Sequence, residues 1–128
     1  TTRKSLKPDG FFQVTYDGKI YSFFVEIDLS TSGHRKLDEK FRAYADVKEL
    51  QMAEARFGIS IFNVLVFAKS PDRRDNLKLL ADKIAPGMFW FASIEESNLQ
   101  PLTAECWHRS GESSGRALFV PRVKVLTR

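Results

Sequence analysis

The alternation of apolar and polar residues predicts a β-hairpin near the start of the chain. A first strand covers residues 11–16 and a second covers residues 19–28. The dipeptide Asp17-Gly18 separates them, and it favours a two-residue turn in which both central residues take positive φ. With that turn, Tyr16 lies opposite Lys19, and this pair fixes every other opposed pair. A three-residue loop with a bulge is the alternative, and it would shift the partners by one residue.

After the hairpin, apolar residues with the helical period predict helices, and continuous apolar runs predict buried strands. The predicted elements are helix 34–56, strand 59–67, helix 70–85, strand 88–94 and a closing hairpin of 106–109 with 117–120. Pro71 suits the first turn of the second helix. An antiparallel hairpin followed by alternating helices and strands predicts an α/β fold, with a mixed central β-sheet flanked by helices.

Three acidic residues share one face of the predicted hairpin. The register sets Asp9 opposite Glu26, and Asp28 lies two residues further along the same face. Opposed side chains are roughly 5 Å apart. Two unit charges at that distance repel by about 3 kcal/mol at an effective dielectric constant of about 20. A cation must offset this repulsion, and a divalent metal ion is the natural candidate. The alternative is that lysine side chains pair with the acids on a solvated face.

Length and composition narrow the class of protein. A chain of 128 residues suits one domain with a real core, and we expect a single domain over 1–128. The net charge of +4 is compatible with a DNA partner without requiring one. The single cysteine, Cys106, excludes an internal disulfide and suits a cytoplasmic location. No apolar run reaches the roughly 20 residues of a membrane span, so we expect no membrane partner.

A hydroxyl-rich turn leads from the hairpin into a helix whose first turn is basic. The N–H groups and partial positive charge at a helix N-terminus favour phosphate. The candidate phosphate- or DNA-binding residues are Thr31, His34, Arg35 and Lys36. Carboxylates that hold a metal beside such a helix end are suited to hydrolysing a phosphodiester bond.

Pro8-Asp9, a strand and then Glu26-x-Asp28 resemble the PD-(D/E)xK nuclease superfamily, which has the restriction-endonuclease-like fold. The resemblance implies Mg²⁺ or Mn²⁺ bound by Asp9 and Glu26, and the position of Asp28 on the same face of the hairpin makes it a further candidate ligand. In that superfamily a lysine assists the attacking water, but its usual position is occupied here by Asp28. Some branches supply the lysine from the following helix, and Lys40 is then the best candidate.

Lys36 is the second candidate for that lysine. Tyr44, one turn after Lys40, corresponds to the tyrosine of a Gln-x-x-x-Tyr helix motif in recombination-repair exonucleases of this superfamily. With Asp28 added from the hairpin face, the candidate catalytic set is Asp9, Glu26, Asp28, Lys40 and Tyr44.

A narrower resemblance joins three segments: PDGFF at residues 8–12, FFVEIDLST at residues 23–31, and the Lys40-x-x-x-Tyr44 spacing. Together they resemble the plasmid replication-relaxation family. The resemblance implies a preceding winged-helix DNA-binding region, so we expect this chain to be part of a longer protein. The opening helix of the superfamily has no room before Pro8, and association into a homo-oligomer is one way to supply it.

Two functional hypotheses follow. The first is a metal-dependent endonuclease that hydrolyses phosphodiester bonds in DNA during plasmid replication or relaxation. The second is a catalytically inactive nuclease-like module that binds DNA or docks another protein, and Asp28 at the lysine position favours it. A purely structural domain is the remaining alternative if the hairpin register is wrong.

Overall fold

The computed structural model describes residues 6–29, 33–49, 62–97, 105–113 and 115–119. The strands in this part of the chain are β1 Gly10–Tyr16, β2 Lys19–Asp28, β3 Asn63–Ala68, β4 Phe89–Ser93, β5 Trp107–Arg109 and β6 Gly115–Arg116. The helices are α1 His34–Glu49, α2 Pro71–Ile84 and α3 Ile94–Ser97. Among these helices, none combines the length and the apolar character that a bilayer span requires.

The six strands form one mixed sheet in the order β1-β2-β3-β4-β5-β6. The pairs β2–β3 and β3–β4 are parallel, and the other neighbouring pairs are antiparallel. Helix α1 lies in the chain between β2 and β3, and α2 lies between β3 and β4, as parallel neighbours require. The predicted α/β class and mixed sheet are therefore confirmed.

The turn between β1 and β2 has the predicted two-residue form. Asp17 has φ 53° and Gly18 has φ 75°, the pair of positive values that matches the twist of a tight hairpin. Tyr16 consequently pairs with Lys19, and the ladder continues to the pair of Gly10 with Val25. The bulged alternative is excluded.

Helix α1 and strand β3 are confirmed in the described part of the chain, but β3 begins at Asn63 and leaves out Phe62. Helix α1 begins at residue 34 as predicted and is described to residue 49, so the predicted extension over 50–56 lies outside the described residues. Strand β3 ends one residue later than predicted, and residues 59–61 of the prediction also lie outside. The central residues of β3 are buried on both faces of the sheet, as their continuous apolar run predicts.

Helix α2 begins with a cap that its sequence specifies. Ser70 is extended, and its hydroxyl accepts the Arg73 backbone N–H at 3.2 Å. Pro71 occupies the first helical position, where its missing N–H costs no hydrogen bond. The helix buries Leu77 and Ala81 against the sheet, so the predicted helix is confirmed to within a residue at each end.

Both long helices pack on one face of the sheet. Phe24 of β2 is 1% exposed there, and its ring contacts Tyr44 of α1 with centroids 5.9 Å apart. Phe41 of α1 contacts Phe89 of β4 at 4.8 Å. Burial of each such ring stabilises the fold by about 1.5–3 kcal/mol. Because β2 and α1 share this core, residues along their common edge are held in fixed relative positions.

The other face carries a second apolar cluster. Its buried members are Phe23, Leu65, Trp90, Ala92, Cys106, Trp107 and Phe119. Arg109 and Arg116 approach the Trp90 ring at 4.8 and 5.0 Å from its centroid. These cation–π contacts tie the last two described strands to the centre of the sheet.

The predicted closing hairpin is wrong in its second strand. Strand β5 pairs with residues 115–116 instead of with 117–120, and residue 120 lies outside the described part. The chain turns back early because Gly111 takes φ 85° and the Glu112 N–H bonds the Arg109 carbonyl at 3.0 Å. Phe119 then packs into the second cluster without joining a strand.

Candidate functional site

The three predicted acids line one pocket of about 300 Å³ beside the end of β2. The charged residues that line it are Asp9, Glu26, Asp28, Lys36 and Lys40. Apolar side chains of β2, α1 and β3 complete the walls. The sequence-predicted convergence of acids and lysines from two separate elements is therefore present in the fold.

Asp9 is held in the pocket by the backbone of β2. Its Oδ2 atom accepts the Ile27 N–H at 2.9 Å. The last registered pair of the hairpin is Gly10 with Val25, so the Asp9 carboxylate provides an acceptor just beyond the end of β1. Asp9 is thereby fixed beside Glu26, and its charge acts on that residue.

Glu26 has a protein partner on each carboxylate oxygen. The Lys40 ammonium forms an ion pair with Oε1, and the Tyr44 hydroxyl donates a hydrogen bond to Oε2. Lys40 and Tyr44 are four residues apart on α1, so both reach the same point from one face of the helix. Only 6% of Glu26 is exposed, whereas 32% of the Lys40 side chain is, so the carboxylate is buried while the lysine side of the pair reaches solvent.

Burial dominates the ionisation of this cluster. It raises the pKa of Glu26 above its ordinary value, although the Lys40 and Tyr44 hydrogen bonds oppose the change. The charge of Asp9 raises the pKa of Glu26 a little further. Burial, followed by the hydrogen bond to Glu26, also raises the pKa of Tyr44. The Tyr44 phenol consequently stays protonated and remains a donor.

Asp28 is bound by an arginine from α2. Arg73 Nε lies 2.7 Å from Asp28 Oδ2, and Arg73 Nη2 lies 3.3 Å from Oδ1. This is the two-pronged contact that a planar guanidinium makes with a carboxylate. The exposed fractions of the two side chains are 16% for Arg73 and 5% for Asp28, so the pair is largely buried. Nothing local in the sequence indicates that Arg73 pairs with Asp28, because the two residues are 45 positions apart.

The repulsion among the acids is offset by side chains of the protein itself. Lys40 neutralises Glu26, and Arg73 neutralises Asp28. The alternative of a lysine partner is therefore realised at Glu26, although this carboxylate is buried where a solvated one was expected. Charge repulsion alone therefore no longer requires a metal ion at this site.

Comparison with known proteins adds one finding. Residues 1–60 match the replication-relaxation family. The matched segment contains Asp9, Glu26, Asp28, Lys40 and Tyr44, and it ends before Arg73. No curated protein and no solved structure matches the chain. The match supports the replication-relaxation family for the part of the chain that builds the pocket.

The acids of the matched segment carry the type of donor atom that a small metal site uses. Magnesium prefers oxygen ligands and is often held by one or two carboxylates together with substrate phosphates. Asp9 and Glu26 supply two such carboxylates, but both oxygens of Glu26 already meet Lys40 and Tyr44, and both oxygens of Asp28 are engaged by Arg73. In the described ranges, no group of three or more His, Cys, Asp or Glu side chains is arranged to hold a metal. Metal binding by these acids stays a prediction.

The four predicted phosphate-binding residues differ in where the structure places them. Lys36 lines the pocket. Arg35 is exposed and lies 4.0 Å from Glu39 on the next turn, so it is directed along α1. His34 is the first residue of α1, but its side chain lies outside the described part, as does the whole of Thr31. Lys36 is therefore the predicted phosphate-binding residue that the structure brings to the acids.

Proposed function

We propose that this domain acts on DNA in plasmid replication or relaxation as a metal-dependent endonuclease of restriction-endonuclease-like fold. The observation that carries the proposal is the convergence of Asp9, Glu26 and Lys40 in one pocket. Two carboxylates that hold a metal ion, together with a lysine beside the phosphate, form one set of groups that suffices for hydrolysis of a phosphodiester bond. The match to the replication-relaxation family supports the biological setting, because it covers all three residues.

Each residue of the pocket has a distinct part in this proposal. Asp9 and Glu26 would hold Mg²⁺ or Mn²⁺. The ion, when bound, would lower the pKa of a water molecule and stabilise negative charge on the phosphate. Lys40 offers N–H donors to a phosphate oxygen from its place beside Glu26. Tyr44 is a positioning residue, since it acts by fixing the Glu26 carboxylate.

A DNA backbone is the ligand that the remaining charge suits. Lys36 is exposed on the first turn of α1 and lines the same pocket, so it is free to meet a phosphate next to the one being cleaved. Lysine contacts to phosphate make binding dependent on salt, because each contact releases counterions. This dependence gives the DNA-binding part of the proposal its own readout.

The second candidate is a nuclease-like module that binds DNA or a protein partner without cleavage. The pairing of Asp28 with Arg73 favours it, because Asp28 occupies the usual position of the catalytic lysine and is itself neutralised. The two candidates share the pocket and the DNA partner. They differ in whether a phosphodiester bond is broken.

Incubation of the protein with supercoiled plasmid and Mg²⁺ tests the proposal. We expect nicked plasmid from the parent and none from Asp9→Asn or Glu26→Gln. Lys40→Ala should lower the nicking rate by about 100-fold or more, as loss of a donor to a developing oxyanion does elsewhere. Asp46→Asn and Lys48→Ala are matched controls on exposed positions of α1, and both should nick at the parent rate.

The contrary outcomes are equally distinct. Plasmid that is retained in a gel shift but never nicked, in either Mg²⁺ or Mn²⁺, would support the inactive module. Nicking by Lys40→Ala at the parent rate would show that the lysine is wrongly assigned. Lys36→Ala should reduce the salt dependence of DNA binding by about one counterion, and an unchanged slope would remove Lys36 from the interface.

A further inference from the structure

The two edge strands of the described sheet are protected to different degrees. An exposed edge strand offers its backbone groups to another chain unless it is short, charged or interrupted. Strand β6 has only two residues, and one of them is Arg116. Strand β1 has seven residues, of which none is charged and none is proline, and its register with β2 runs without a bulge. Strand β1 is therefore the unprotected edge.

The two-residue turn decides which backbone groups of β1 point outward. Tyr16 and Lys19 are its first and fourth residues, the positions that the closing hydrogen bond of a β-turn joins. Bonded and non-bonded pairs alternate along an antiparallel ladder, so the even-numbered residues of β1 bond β2. The N–H and C=O groups of Phe11, Gln13 and Thr15 consequently point away from β2. The described part of the chain supplies no backbone partner for them.

The side chains at this edge are apolar on both faces of the sheet. Phe11 lies on the face that carries the long helices, where its ring is 5.1 Å from that of Phe24 but remains 46% exposed. Phe12 lies on the other face and is half-buried, with its ring stacked on that of Phe23 at 5.2 Å. A strand added beside β1 would extend both apolar surfaces as well as bond the outward backbone groups.

The sequence of β1 restricts how a second copy of the same strand could pair with it. Bonded pairs must join outward-pointing, odd-numbered residues, so a twofold axis lies at Gln13 or at one of its two neighbours. An axis at Gln13 would set Asp9 opposite the partner's Asp17, and like charges directly opposite each other are unfavourable. An axis at Val14 would set the apolar ring of Phe11 opposite the same aspartate.

An axis at Phe12 has neither fault. It sets Lys7 opposite the partner's Asp17, which are unlike charges. It also sets Phe12 opposite the partner's Phe12 in a non-bonded pair, where the Cα atoms approach to about 4.5 Å and the side chains are closest. Because each Phe12 stacks on Phe23 of its own copy, the four rings would form one aromatic row across the axis.

We propose that two copies of this chain pair through β1, antiparallel about a twofold axis at Phe12, so that their sheets join into one continuous sheet. The axis is perpendicular to the sheet, so the long helices of both copies stay on a common face. The inference uses no part of the pocket and therefore stands independently of the proposed function. An interface of one strand per copy is small, so we expect reversible association.

Sedimentation velocity of the full chain, over a range of micromolar concentrations, tests the inference. Gln13→Pro removes an outward N–H and leaves the bonds to β2 in place, as proline on an edge strand does. The dimer then loses two hydrogen bonds, and its dissociation constant should rise by about tenfold or more. Gln13→Ala is the matched control, because both variants lose the 3.1 Å bond from Gln13 to the Ser22 hydroxyl but only the proline loses the backbone donor. The dissociation constant of Gln13→Ala should stay near that of the parent.

Single cysteine variants identify the axis. Phe12→Cys sets two thiols opposite each other at a Cα separation that a disulfide can span. Gln13→Cys and Val14→Cys would do so only if the axis lay at those residues. Under mild oxidation we expect covalent dimer from Phe12→Cys and little from the other two. The native Cys106 is buried, and the parent chain gives its background.

The contrary outcomes are specific. A parent that stays monomeric at the highest concentration, or a dimer that Gln13→Pro leaves intact, overturns the pairing through β1. Covalent dimer that forms faster from Gln13→Cys or Val14→Cys than from Phe12→Cys overturns the axis. Far-UV circular dichroism reports whether Gln13→Pro folds. If it does not, the cysteine variants decide, and absence of covalent dimer from Phe12→Cys overturns the inference.

Discussion

Removing the Tyr44 hydroxyl is a direct measure of how strongly the pocket depends on its internal hydrogen bonds. The Tyr44→Phe change deletes the donor to Glu26 Oε2 and leaves the ring in place. Ring contacts to Phe24 and Phe89, with centroids 5.9 and 6.0 Å away, are kept. The substitution is therefore close to a deletion of one hydrogen bond.

The expected magnitude follows from the burial and charge of the two groups. Tyr44 is 0% exposed and Glu26 is 6% exposed, so water does not readily replace the lost donor. A hydrogen bond to a charged group contributes about 1.5–3 kcal/mol to stability. Lys40 still neutralises the carboxylate, which favours the lower part of that range. We expect the free energy of unfolding to fall by about 2 kcal/mol.

Urea unfolding, followed by far-UV circular dichroism at neutral pH, measures this change. The midpoint should fall while the slope against urea stays the same, because the surface exposed on unfolding is unaltered. Tyr21→Phe is the matched control, since Tyr21 packs in the cluster on the opposite face of the sheet. A loss in Tyr44→Phe within about 0.5 kcal/mol, the size of an ordinary surface substitution, would refute the reasoning.

Two other predictions concern pH and backbone strain. Burial raises the pKa of Glu26, so the folded state binds a proton at this residue more tightly than the unfolded state, in which the pKa is near 4.5. The ionised residue therefore lowers the free energy of unfolding as the pH rises above 4.5. Glu26→Gln removes this loss of stability. The unfolding free energy of the variant minus that of the parent should therefore increase from about pH 4 to neutral pH. A difference that stays flat or falls in urea titrations would contradict this prediction. Gly111 has φ 85°, and an added Cβ would lie 2.9 Å from Pro86 Cβ. Gly111→Ala should therefore lower the unfolding free energy by at least about 1–2 kcal/mol, whereas Gly33→Ala, with nothing within 4 Å, should change it little; equal losses would argue against strain at Gly111.

The hairpin and the pocket acids could be predicted from the sequence because local chemistry fixes them. Asp17-Gly18 specifies one turn, and a single turn fixes the register of the whole hairpin. Lys40 and Tyr44 could be predicted because helical spacing places them together on α1. Local rules of this kind led correctly from residue pattern to pocket.

The contact between Asp28 and Arg73 could not be predicted in the same way. It depends on β3 pairing in parallel with β2 and on the length of the connection to α2, which are properties of the whole sheet. The prediction of the last strand at residues 117–120 is wrong for a related reason. At Gly111 the backbone comes so close to Pro86 that an added Cβ would lie 2.9 Å from Pro86 Cβ, and the sequence does not indicate that approach.

The acids of the pocket also hold elements of the fold together. Asp9 secures the backbone of β2 at Ile27, Glu26 anchors α1 through two side chains, and Asp28 anchors the start of α2. A related protein without catalytic activity would still be under selection to keep these carboxylates, because their contacts stabilise the fold. Retention of the acids among relatives is consequently no proof of turnover, and the same holds for Lys40, which forms the ion pair with Glu26.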